Sequence, residues 1–206
     1  MINIFLSYQR GLFLHAEKFI PQLGYRKREH LMNGMAAGLD GLKMSSSKPP
    51  STKIEFLDDP DTVRWKISEV PCEEGNVSEN GVLGILRDVL IPISELRLER
   101  LQGKTGVNLA EGQGVMSDQR PFISDNAPEG TVFTIGAKDT SVGQHYSSYD
   151  EIEQDFAQKK LQPAALKAAV ADTFNRLLAP IRKTYAESGE WQAVDKLAYP
   201  DSDYLC

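Results

Sequence analysis

Residues 38–51 read Gly-Leu-Asp-Gly-Leu-Lys-Met-Ser-Ser-Ser-Lys-Pro-Pro-Ser, and neither a helix nor a strand can run through them. Gly38 and Gly41 open the stretch with backbone freedom that other residues lack. Pro49 and Pro50 close it, each fixing one dihedral and removing one donor. The stretch therefore breaks the 206-residue chain into a short first part and a long second part, and the two parts carry different patterns.

Such a Ser/Gly/Pro-rich stretch has two readings. It can be a solvated linker. It can also be a phosphate cradle: Lys43 as a mobile point charge, with Ser45, Ser46, Ser47 and free backbone amides donating to phosphate oxygens.

Ahead of the loop, residues 11–20 are predicted helical, with Leu12, Ala16 and Phe19 on the apolar face, ended by Pro21 and Gly24. Residues 29–35 read as a short buried strand. A helix, a strand and a Gly-rich loop form one unit of an α/β sheet, where ligands bind beyond the carboxyl ends of the strands. Behind the loop the pattern is helical. Asp58-Asp59-Pro60-Asp61 is a helix start with an Asp cap, Pro at the first position and acid in the first turn. Asn80-Gly81 opens the next helix, with Val82, Leu83, Leu86, Val89, Leu90 and Ile93 inward, and Pro92 is expected to kink or end it. Residues 103–147 read as an irregular insertion with one β-like run, Thr131–Ile135, and room for a hairpin. Helices are predicted over Tyr149–Lys160, from Pro163 through a bend at Pro180, and over Trp191–Ala198. Trp65 and Trp191 read as packing residues.

Composition excludes several classes. No run approaches the roughly 20 apolar residues of a membrane span, and the first residues carry no basic segment of a signal peptide. Cys72 and Cys206 are too few for a disulfide framework and are expected to stay reduced. His15, His30 and His145 are far apart, with no His-x-x-x-His or Cys-x-x-Cys spacing, so no structural metal is predicted. The net charge is −6. Residues 1–104 are balanced, so the excess of acid lies in residues 105–206. Any nucleic-acid contact must then use local basic patches.

Several collinear blocks resemble one family. They are Ala16–Tyr25, His30–Asn33, Gly38–Ser47, Cys72–Val77, Asn80–Leu83, Pro180–Lys183 and Leu197–Asp201. Lys43–Ser47 is similar to the second signature loop, of KMSKS type, of class I aminoacyl-tRNA synthetases. The flanks resemble the tyrosyl-tRNA synthetases of eukaryotes and archaea, and the insertion resembles fungal members. The resemblance implies a partial Rossmann-like nucleotide-binding domain over residues 1–55. A helical anticodon-binding domain comes next, over 56–206.

The implied reaction joins tyrosine to ATP as an adenylate, with loss of pyrophosphate, and passes the tyrosyl group to tRNA-Tyr in the cytoplasm. Lys43 would neutralise the departing phosphates, Ser45, Ser46 and Ser47 would hold the loop and triphosphate, and Met44 would anchor the loop. ATP would bring Mg2+ with it. Gln9 would contact tyrosine, beside Tyr8 where the family has an acid, and Met32 reads as core. For tRNA, Gln162 and Ala165 stand where the family has a histidine and an acid, and Lys159, Lys160 and Lys167 could touch phosphate or form a solvated face. No His-x-Gly-His-like first signature occurs in the sequence. The resemblance therefore implies the C-terminal part of a synthetase, inactive alone, with the family's homodimer not carried over. A non-catalytic tRNA-binding module and a tryptophanyl-tRNA synthetase are the alternatives.

Overall fold

The computed structural model describes residues 3–6, 10–26, 30–33, 37–42, 44–45, 48–103, 120–136 and 143–199. The first part is a β-α-β unit. β1 (Asn3–Leu6) and β2 (His30–Asn33) pair in parallel, with Asn3 opposite His30 and Leu6 opposite Asn33. Parallel neighbours need a crossover. α1 (Arg10–Phe19) and a 3-10 turn over Ile20–Leu23, stopped at left-handed Gly24, supply it. The sequence does not predict β1; its four residues are too short a run to stand out. It does predict the helix, but the apolar face is uncovered: Leu12 is 72% exposed and Phe19 46%.

The second part is built on capped helices. Asp59 caps α2 (Pro60–Glu69) by accepting from the amides of Asp61 (2.8 Å) and Thr62 (2.9 Å). Hydrogen bonds from Thr62, then Asp61, hold its carboxyl below the usual range. Lys66 on α2 is buried and reaches back to both oxygens of Asp58 at 2.9 and 2.7 Å. Asn80 caps α3 (Gly81–Ile85), as its sequence position predicts.

Pro92 neither ends nor simply kinks the next helix. A π turn over Leu86–Leu90 joins α3 to α4 (Ile91–Leu101). Proline lacks an amide donor, and its ring conflicts with the carbonyl four residues earlier. A wider turn with bonds five residues apart, such as Ile91 to Leu86, accommodates this.

The core forms where the long helix α6 (Pro163–Glu187) lies across these elements. Its Leu166, Val170, Phe174 and Leu178 are buried with Val63 and Ile67 of α2, Leu83 of α3, Leu86 and Leu90 of the π turn, and Ile152 and Phe156 of α5 (Tyr149–Ala157). α7 (Gly189–Ala198) is capped by Ser188, and Trp191 packs edge-on against Tyr185 with ring centroids 5.4 Å apart. Among the described residues no helix is long and apolar enough to cross a membrane. Cys72 is a free, half-buried thiol, whereas Cys206 lies outside the described residues.

The β-like run of the insertion forms one strand of a hairpin, β3 (Phe133–Ile135) with β4 (Gln144–Tyr146), as expected. What the irregular reading does not anticipate is that the insertion contributes Phe122, Phe133, Ile135 and Tyr146 to the core. Ser94 of α4 fastens it at two points. Its hydroxyl donates to the Val132 carbonyl (2.7 Å) and accepts from the Phe122 amide (2.9 Å). The Phe122 ring lies on Phe133, with the guanidinium carbons of Arg97 and Arg176 at 4.7 and 5.6 Å. The alternation of Phe133, Thr134 and Ile135 is the local strand signal, whereas the core they enter is made by distant helices.

Two measurements check these anchors. Ser94→Ala leaves a buried amide and a carbonyl unpaired and should cost about 2–4 kcal/mol, read as a lower urea midpoint with unchanged slope. Asp59→Ala should cost about 1 kcal/mol at neutral pH. Because the folded carboxyl is shifted down, its contribution is present above the usual carboxylate range. The difference from wild type should therefore close as the pH falls below about 4.

Candidate functional site

The Lys43–Ser47 loop grows from a turn at residues 37–42. The Gly38 amide donates to the Leu42 carbonyl (2.7 Å), Gly41 to Gly38 (3.0 Å) and Leu39 to Thr52 (2.9 Å). Leu39 is buried, so the turn is part of the core edge and not a free linker. Gly41 adopts φ +73°, a conformation that favours glycine.

This turn sits directly on the start of α3. A Cβ at Gly41 would lie 1.9 Å from the Glu79 carbonyl oxygen, and one at Gly81 would lie 2.1 Å from that of Leu39. Backbone therefore meets backbone, and only glycine fits at either place. Asp88 of the π turn adds a tether, accepting from the Ala37 amide at 3.4 Å. Its carboxylate is also paired with Arg87 at 2.8 Å. The Arg87 guanidinium lies 5.9 Å from the Tyr149 ring centre, and the Tyr149 hydroxyl donates to Glu153 (2.8 Å). Burial and the Glu153 bond push that phenol far above its usual range, so it stays neutral.

At the loop itself, Asp40 and Lys48 bracket the intervening residues with an ion pair. Asp40 also accepts from the Leu42 amide (3.1 Å), and the Lys48 amide donates to the Ser45 carbonyl (3.2 Å). The Lys48 bond holds the Asp40 carboxyl below the usual carboxylate range. Met44, expected as an apolar anchor, is 49% exposed. Lys43, Ser46, Ser47 and Gln9 lie outside the described residues, as does the side chain of Met32.

The residues expected to face nucleic acid converge on the connection between α2 and α3. Gln162, ahead of α6, donates to Glu74 (3.0 Å), and Lys167 donates to the Ser68 carbonyl (2.8 Å) near the end of α2. Lys159 adopts φ +60°, with its stem close against Gly75. Lys160 pairs loosely with Asp155 at 3.7 Å. Three of these four residues thus meet residues 68–75, and the ammonium groups of Lys160 and Lys167 rest on oxygens of this chain. Sequence reasoning misses Asp40, Glu74 and Asp88. Asp40 was discoverable, lying between two glycines at the mouth of the loop.

Known proteins resemble this chain over most of its length. The family model for tRNA synthetases class I (W and Y) matches residues 8–179. The chain is 40% identical over 193 residues to the cytoplasmic tyrosine–tRNA ligase of Saccharomyces cerevisiae, covering 93% of this chain and 42% of that protein. It superposes on the Archaeoglobus fulgidus tyrosyl-tRNA synthetase complexed with L-tyrosine with a TM-score of 0.60 and 28% identity, covering 88% of this chain and 45% of the other. The Aeropyrum pernix tyrosyl-tRNA synthetase shares the fold, with a TM-score of 0.67 at 24% identity over 97% of this chain and 48% of the other. The chain thus spans less than half the length of each.

Gly41→Ala tests the seat of the loop. The left-handed backbone and the carbonyl 1.9 Å from the added carbon should together cost more than about 3 kcal/mol. Amide exchange at residues 38–42 and 79–84 should rise together, because the two segments are pressed against one another.

Proposed function

This chain belongs to the class I tRNA synthetases (W and Y), and we propose that it carries the ATP-loop and tRNA-contacting portion of a tyrosine–tRNA ligase. The observation that carries the reading is the fixed seat of the Gly38–Gly41 turn on α3. A glycine-rich turn wedged against a helix start holds the adjoining loop at one place on the helical part, which is what a loop that must meet both nucleotide and tRNA needs. Relatives named tyrosine–tRNA ligase, rather than a tryptophan counterpart, favour tyrosine as the amino acid.

In this reading residues 1–55 are the end of the nucleotide-binding domain and residues 56–206 are the helical domain that meets tRNA. Lys43 neutralises the polyphosphate as pyrophosphate departs. Ser45, Ser46 and Ser47 hold the oxygens, and Met44 steadies the loop. Gln9 contacts tyrosine, and ATP arrives with its Mg2+. These are positioning and charge-stabilising tasks, because the bond making occurs between the substrates themselves. The start of α6, with Gln162, Lys159, Lys160 and Lys167, faces tRNA-Tyr. Lys160 and Lys167 exchange their present carboxylate and carbonyl partners for phosphate oxygens. The cytoplasm is the compartment named for the relatives, and a homodimer is the family's arrangement.

Filter binding in rising salt tests the tRNA half. The chain should prefer a tyrosine-accepting tRNA over an unrelated one. Lys167→Ala should weaken both and lower the salt slope by about 1. Equal affinity for unrelated tRNAs would sink the reading. ATP–pyrophosphate exchange tests the other half. These 206 residues alone should run far below a full-length synthetase, since their sequence offers no first ATP signature. Exchange at full-length rates would show that the site is complete without one.

A further inference from the structure

We propose that Lys48 is a phosphate-binding cation held on Asp40, and that a polyphosphate ligand takes it by displacing the Asp40 carboxylate. This rests on the reading of the loop as a nucleotide loop and adds a residue to it. Four observations carry it.

First, the two partners have unequal freedom. Asp40 is fixed: its second oxygen accepts from the Leu42 amide at 3.1 Å, and it lies in the turn seated on α3. Lys48 is held to the loop by its backbone, through the Ser45 carbonyl at 3.2 Å. Its four-carbon stem lets the ammonium travel without undoing that bond.

Second, the pair is half-sheltered, each side chain being 28% exposed. An ion pair at such a rim is weakly held, because water and salt compete for both groups. A ligand with three or four negative charges outcompetes one carboxylate.

Third, among the described residues two neighbouring cations are committed elsewhere. Lys53 faces Glu55 at 3.5 Å, and Arg87 is held by both Asp88 and the Tyr149 ring. Lys48 is the cation whose partner closes the mouth of the loop.

Fourth, the Asp40 carboxyl stays ionised at neutral pH, since its bonds shift it downward. The pair is thus a standing competitor for any anion that approaches Lys48.

Competition has a signature that support of the fold lacks, because the two partners act with opposite sign. Titration of the full chain with inorganic tripolyphosphate, followed calorimetrically at fixed ionic strength, reads it. Asp40→Asn keeps the bond from Leu42 and removes the charge, so binding should tighten by about fivefold. Lys48→Met should weaken it by about tenfold, and the double variant should match Lys48→Met. Sulfate at the same ionic strength should leave these ratios unchanged. If Asp40→Asn binds no tighter than wild type, or both single variants weaken binding, the pair is a structural clasp and the proposal fails alone. If neither wild type nor Asp40→Asn binds tripolyphosphate, the proposal fails together with the reading of the loop. Urea midpoints on the same samples establish that each variant is folded.

Discussion

The contact between two main chains, the Gly38–Gly41 turn and the first turn of α3, orders the rest of this molecule. Side-chain packing tolerates adjustment through rotamers, but backbone against backbone does not. With a carbonyl where each Cβ would be, the distance between the turn and the helix start has a single value. The Asn80 cap fixes where α3 begins by accepting from Val82 and Leu83 at 3.1 and 3.2 Å. The turn therefore inherits its position from the helical core, and the loop inherits it from the turn. The small sheet contributes less, since α1 buries no side chain among the described residues.

The features legible in the sequence are those that local chemistry decides. Asp59 and Asn80 announce their helices because a cap is a bond between a side chain and amides two or three residues away. Pro163 and the spacing of Leu166, Val170 and Phe174 announce α6 for similar reasons. The illegible features depend on partners far along the chain. β1 is a strand only because β2 lies beside it. The insertion is core only because Ser94, 28 residues ahead of Phe122, receives it. The fate of the helix at Pro92 was open, since a break, a kink and a π turn all answer the same missing donor. At the candidate site the loop was legible from residue types alone, whereas its seat and the Asp40–Lys48 pair required a fold to bring them together.

Charge is used sparingly in this acidic chain. Lys66 is spent on Asp58 and Lys167 on a helix-end carbonyl. Arg97 and Arg176 flank Phe122. These cations do structural work first, and an anion that takes Lys66 or Lys167 must compete with the protein's own oxygens. Affinity gained by such exchange is modest, but it is strongly discriminating, because only ligands of high charge density can displace an internal partner.

The π turn has a consequence beyond accommodating Pro92. Five residues in a wider coil act as a phase shift in an otherwise continuous rod. Everything downstream is rotated by roughly the 100° that one residue occupies in a regular helix. Ser94 and Arg97 owe their inward bearing to that offset. Rewinding Leu86–Leu90 as an ordinary helix with no residue lost would turn both away from the segment they hold. The helix is thus a molecular dial set by one extra residue, and the insertion is docked only at that setting.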